Sequence, residues 1–235
     1  MGNSYFRFKQ FTVEQAGSAM KVCTDACIQG AFTAAFVKNE TRVLDIGTGT
    51  GLLSLMLAQQ SPAAIDALEL DEAAYRQALS NFEASPWHRR LRAIHADVQS
   101  YRPEMLYPFI ITNPPFFEND LKSPDSRRNA AMHTTTLDYA ALMNAIRRLL
   151  SPGGRFSVLL PWEGFQRFCG MAEAVGFTLQ ELLEVRQTPS HGFFRAAGIF
   201  GEGGERRVRQ MSVYDAEKQY TPEFTALLKD YYLYL

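Results

Sequence analysis

Asn113-Pro114-Pro115-Phe116 follows the apolar run Phe109-Ile110-Ile111-Thr112, so an amide, two rigid residues and an aromatic ring stand at the carboxyl end of a predicted strand. In an open α/β sheet that edge is where ligands bind. These residue types suit one reaction, substitution at an exocyclic amino nitrogen. Such a nitrogen is a poor nucleophile because its lone pair is delocalised, so catalysis must favour the tetrahedral, positively charged nitrogen that develops during attack. The side-chain oxygen of Asn113 and the carbonyl of Pro114 supply two acceptors for the amino hydrogens, and the prolines limit reorganisation. Pro115 and Phe116 complete the candidate catalytic set, with Phe116 offering a stacking face to a base. Read alone, the same tetrapeptide is also a rigid turn that ends a strand.

A second constellation lies upstream. Val43-Leu44-Asp45-Ile46-Gly47-Thr48-Gly49-Thr50-Gly51-Leu52-Leu53 passes from an apolar strand directly into a helix. Its glycines stand where the chain turns tightly and a ligand approaches the backbone, which implies a nucleoside cofactor. A dinucleotide fingerprint needs a glycine at the sixth place of the motif, where Leu52 stands, and this weakens a nicotinamide reading. Glu69 closes the next predicted strand about twenty residues on, placed to accept from ribose hydroxyls, and Asp97 closes the one after it.

Strands are predicted at 42–46, 65–70, 91–96, 109–112 and 155–160, with helices starting near Gly51, Glu72, Leu137 and Glu163. This alternation requires parallel strands with helical crossovers on both faces, a doubly wound α/β sheet. Beyond it come a helix ending at Gly176, a strand from Phe177, and extended segments 193–200 and 207–213 joined by Gly201-Glu202-Gly203-Gly204-Glu205, a composition that predicts an antiparallel hairpin at one sheet edge. Residues 1–40 read as an appendage packing over the cofactor site, with a helix over 26–37 capped by Thr24 or Asp25, and 41–235 as the catalytic domain.

With 235 residues, 46% of them hydrophobic, the chain can bury a sizeable core. The 24 basic and 25 acidic residues nearly cancel, so contact with a polyanion must come from a local patch; Lys122, Arg127, Arg128, Arg206, Arg207 and Arg209 are the candidates, against the bland reading of solvated surface charge. Three scattered cysteines fit reduced thiols and a cytoplasmic location. The four histidines lack ligand spacing, so no metal is expected, and no apolar run is long enough for a membrane span.

These residues resemble the class I (Rossmann-like) S-adenosylmethionine-dependent methyltransferases, in the amino-methylating branch marked by Asn-Pro-Pro-aromatic. Within it the chain is similar to the bacterial tRNA1(Val) (adenine-N6)-methyltransferases, which modify adenosine 37 of the anticodon loop. The likeness runs through Phe8-Lys9-Gln10-Phe11, 19–25, 44–59, 81–87, 113–116, Thr134-Thr135-Thr136-Leu137 and Tyr232-Leu233. It implies a seven-stranded, mostly parallel sheet with one antiparallel strand at the edge. It also implies that Lys21, Thr24 and Asp25 border the methionine end of S-adenosylmethionine, that Asp45, Gly47, Thr48, Gly49, Gly51 and Leu52 cradle it, that Glu69 with Leu70 binds ribose, and that Asp97 and Val98 flank adenine. Phe116 departs from the tyrosine common in this branch and keeps stacking without a phenolic hydroxyl. The expected partner is tRNA, and the expected state a monomer or weak dimer.

Three other readings stay open. Methylation of a glutamine amide in a release factor wants the same tetrapeptide, but such enzymes usually carry an N-terminal helical domain. Guanine N2 methylation of ribosomal RNA is the second. A cofactor-binding scaffold without catalysis is the third, and the intact Asn113 to Phe116 argues against it.

Overall fold

The computed structural model describes residues 3–17, 21–114 and 139–235. Two short strands, β1 (Tyr5–Arg7) and β2 (Thr12–Glu14), pair antiparallel ahead of helix α1 (Thr24–Ala34). The alternating part then runs β3 (Arg42–Ile46), α2 (Leu52–Gln60), β4 (Ala64–Glu69), α3 (Glu72–Glu83), β5 (Leu91–His95) and β6 (Tyr107–Thr112). It continues with α4 (Tyr139–Leu149), β7 (Leu150–Pro161), α5 (Trp162–Ala174), β8 (Thr178–Arg186), β9 (Phe193–Gly201), β10 (Arg207–Ser212) and α6 (Pro222–Leu228).

β3, β4, β6 and the second half of β7 are buried along most of their length because both faces of a parallel sheet are covered by helices. One buried cluster lies under α1 and α2 and includes Phe32, Leu55 and Phe109; the other lies under α4 and α5 and includes Tyr107, Phe156 and Phe168. The order is β10-β8-β9-β7-β6-β3-β4-β5, with β3 to β7 mutually parallel and the chain reversing direction between β3 and β6, the switch point of a doubly wound sheet.

The far end of the sheet differs from expectation in three ways. β9 is antiparallel to both β7 and β8 and lies between them, so the antiparallel strand is internal. β10 does not form a hairpin with β9, because both edges of β9 are already taken; it adds outside β8, parallel to it. The sheet therefore has eight strands among the described residues, the seven expected plus β10.

Residues 3–17 and 21–40 share the domain core. Phe8, Phe11, Ile28 and Phe32 belong to the same buried cluster as Val43, Leu55 and Phe224. The N-cap of α1 is Cys23, without a side-chain cap bond, whereas Thr24 and Asp25 lie inside the helix. Asp25 accepts from the Ala26 amide at 3.1 Å through one oxygen and meets Arg195 of β9 at 2.8 Å through the other.

Candidate active site

The glycine turn emerges from β3 and enters α2 through Gly51, whose φ of 84° is the left-handed region. A Cβ there would lie 2.5 Å from the ring of Phe82, so only glycine lets α3 pack against the turn. Gly47 and Gly49 also take positive φ, 71° and 58°, but open space faces the place of their missing Cβ atoms. That bare backbone is the shape a ligand cradle needs.

Buried groups hold the turn from behind. Asp45 accepts from Thr48 Oγ1 at 2.6 Å and Ser54 Oγ at 2.7 Å. Burial outweighs these two bonds, and with some repulsion from Glu69 it pushes the Asp45 pKa up to about 6. Asn81 donates to the carbonyls of Thr50 and Glu14 and accepts from the Glu14 amide at 3.0 Å, tying β2 to the turn. Glu69, at the end of β4, accepts from the Gly49 amide at 2.8 Å through one oxygen and from the Leu70 and Asp71 amides through the other.

Two cavities flank this carboxylate. The first, about 260 Å³, is lined by Lys21, Cys23, Gly47 to Thr50, Leu52, Glu69 and Asn113 among others. The second, about 150 Å³, shares Gly47 and Glu69 and is bounded by Leu70, Asp97, Val98 and Pro114. Asp97 Oδ1 accepts from the Gln99 amide at 2.8 Å, which fixes the rim.

Asn113 follows β6 at the meeting of the two cavities. Thr112 just before it donates from Oγ1 to the Ile46 carbonyl at 3.0 Å, and its own carbonyl accepts from Gln29 Nε2 of α1 at 2.9 Å. The Asn113 side-chain oxygen is sealed from solvent, yet has no hydrogen-bond partner among the described residues. An orphaned buried acceptor costs stability on the order of 1–3 kcal/mol unless a ligand donor meets it. Here that acceptor belongs to a residue lining the cavity.

The structure brings together Lys21, Gly47, Thr48, Gly49, Leu52, Glu69, Leu70, Asp97, Val98, Asn113 and Pro114. Thr24, Asp25, Asp45 and Gly51 do not line either cavity. Asp25 is engaged by Arg195, Asp45 is the buried brace of the turn, and Gly51 is the packing contact with Phe82. Pro115, Phe116, Lys122, Arg127 and Arg128 lie outside the described residues. Arg207 and Arg209 meet Glu181 at 3.5 and 3.4 Å; they stand on β10, the outermost strand, four strands across the sheet from β6, where Val208 is level with Thr112 through the successive registers. Arg206 immediately precedes them.

Sequence reasoning missed Cys23, Asp71, Asn81 and Gln29. Burial and the neighbouring Asp25 push the Cys23 thiol up to about 12, so it faces the cavity as an inert wall. Gln29 and Asn81 carry no local signal, since each partner lies far along the chain.

Residues 29–161, more than half of the chain, match the family model of the methyltransferase small domain. The chain is 45% identical over 237 residues to the tRNA1(Val) (adenine(37)-N6)-methyltransferase of Dyadobacter fermentans, with 98% of both chains covered. The chain belongs to this methyltransferase family. The protein of the same name from Tolumonas auensis is 39% identical over 236 residues, covering 99% of this chain and 98% of that one. A predicted O-methyltransferase from Agrobacterium tumefaciens shares the fold, with a TM-score of 0.67 at 15% identity, covering 88% of this chain and 96% of the other. The methyltransferase is S-adenosylmethionine-dependent. The cavity pair fits that cofactor: bare glycine backbone, a carboxylate between two cavities and an unsatisfied acceptor at their junction. No helix among the described residues is long and apolar enough to cross a membrane.

Proposed function

We propose that this methyltransferase transfers a methyl group to N6 of adenosine 37 in tRNA1(Val). The observation that carries the reading is the Asn113 side-chain oxygen, buried and without a partner among the described residues, on a residue that lines the nucleoside cradle. The names borne by full-length relatives favour adenine in tRNA over a release-factor glutamine or a guanine.

S-adenosylmethionine bound across the two cavities would supply a methyl already activated by its sulfonium. In this reading Glu69 takes the ribose, Leu70, Asp97 and Val98 wall the adenine, and the methionine arm lies on the side of Lys21 and Gly47; the lining of the two cavities supports it. Asn113 and the Pro114 carbonyl accept the two amino hydrogens of the target base, which favours the nitrogen carrying developing positive charge. Gln29 and the Ile46 carbonyl hold Thr112, so the Asn113 acceptor is aimed before the base arrives. No side chain has to act as a nucleophile, and the high thiol pKa of Cys23 keeps it from competing for the methyl.

The test incubates purified protein with labelled S-adenosylmethionine and either unmodified tRNA or recombinant release factor, then identifies the product by chromatography. N6-methyladenosine in tRNA is the expected product. Label in the release factor, or N2-methylguanosine, overturns the substrate.

A further inference from the structure

The ends of β6, β7 and β8 and the start of β9 face the same side of the sheet but are staggered. Thr112 of β6 is in register with Val158 of β7, and Val158 with Gly198 of β9, whereas β7 runs on to Pro161, opposite Arg195, and Arg186 of β8 pairs with Phe193 of β9. Trp162, Phe193 and Arg186 therefore stand on the same side of the sheet as Asn113 but beyond its level. At roughly 4.8 Å between strands and 3.3 Å per residue, Phe193 lies about 10 Å sideways and about 13 Å further along the strands from Asn113.

Trp162 and Phe193 meet with ring centroids 5.4 Å apart at 48°, and the Arg186 guanidinium lies 5.5 Å from the Phe193 ring centre. All three are half-buried, so each still presents surface to solvent. Arg186 donates to Ser212 Oγ at 3.0 Å but meets no carboxylate within ion-pair distance among the described residues. Its neighbours differ: Arg195 meets Asp25, and Arg207 and Arg209 share the one carboxylate of Glu181. A guanidinium without an ion pair among the described residues thus sits beside the aromatic pair, on the same side of the sheet as Asn113.

Unpaired RNA bases are held by stacking on aromatic rings, with cations on the phosphates between them. We propose that Trp162 and Phe193 form a stacking platform for an unpaired base two or three nucleotides from the methylated adenosine, and that Arg186 takes an adjoining phosphate. The separation of roughly 16 Å from Asn113 suits that length of single-stranded loop. The inference rests on the reading of the protein as a tRNA methyltransferase. It places the RNA contact at β8 and β9 rather than at Arg206, Arg207 and Arg209 on the outer side of the sheet.

Trp87 and Trp162 are the chain's two tryptophans, so in a Trp87→Phe background the emission reports Trp162 alone. Titration with the unmodified anticodon stem-loop should quench it saturably. Filter retention should show RNA affinity lowered about tenfold or more by Trp162→Ala and largely kept by Trp162→Phe. Arg186→Ala should weaken binding several-fold and flatten the salt slope by about 0.7. The cofactor dissociation constant, read by calorimetry on the same variants, is the control for a merely structural loss and should stay unchanged. RNA that binds and is methylated without changing Trp162 emission, or that binds Trp162→Ala as tightly as the unsubstituted protein, overturns the platform alone. A wild-type protein that methylates protein but not tRNA overturns the functional reading, and one that does not bind RNA at all overturns both.

Discussion

The Glu69 carboxylate accepts from the Gly49 amide at 2.8 Å and, through its other oxygen, from the amides of Leu70 and Asp71. One side chain thus joins the glycine turn after β3 to the start of α3 and stands between the two cavities. A carboxylate already oriented by three amides needs little reorganisation to accept from a ribose.

Glu69→Ala is predicted to weaken S-adenosylmethionine binding about tenfold to a hundredfold, the range expected for a lost hydrogen bond to a charged group. Isothermal calorimetry measures it. A dissociation constant unchanged from wild type would remove Glu69 from the ribose role.

Asn113→Ala is predicted to cut methyl transfer by roughly two orders of magnitude or more while leaving cofactor affinity within a few-fold. The variant also removes a buried, unpartnered oxygen, so its melting temperature should not fall much. Equal losses of binding and turnover would make Asn113 a structural residue.

Asp45 has a folded-state pKa raised to about 6, so the native protein holds a proton that the unfolded chain releases at lower pH. Where the native state binds more protons, stability falls as pH rises. The contribution of Asp45 therefore declines from about pH 4 to pH 6 and is flat above, by up to about 3 kcal/mol in total. Asp45→Asn should flatten that part of the curve in denaturant titrations. An identical pH profile for the two proteins would show that Asp45 is ionised throughout.

Gly51→Ala should destabilise the fold by about 2–4 kcal/mol, combining left-handed backbone strain with overpacking against Phe82. Thermal unfolding reads the loss. Adding Phe82→Leu should recover part of it; if the double variant is no more stable than Gly51→Ala, the clash is not the cause.

Much of the site was legible because it is local. A strand running into glycines at 47, 49 and 51, an acid at the end of the next strand and Asn-Pro-Pro at the end of another are each set by turn geometry, by the pleat and by the lack of a proline amide hydrogen. Those features placed Gly47, Glu69, Asp97 and Asn113 at one edge before any long-range contact was considered.

What the tertiary structure decided is where partners far apart in the chain meet. The glycine-rich linker 201–205 suits a hairpin, but hydrogen-bonding edges are finite, and β7 and β8 had taken both edges of β9. Asp25 had the sequence context of a helix cap and does accept from the Ala26 amide, yet its second oxygen meets Arg195, 170 positions away. Gln29 reads as a polar residue in an apolar helix until Thr112, 83 positions on, shows what it holds. The sequence by itself determined the kind of chemistry, because strand ends and turns carry it. Only the folded sheet decided which charges pair and which rings meet beside it, because pairing depends on geometry that local propensity does not encode.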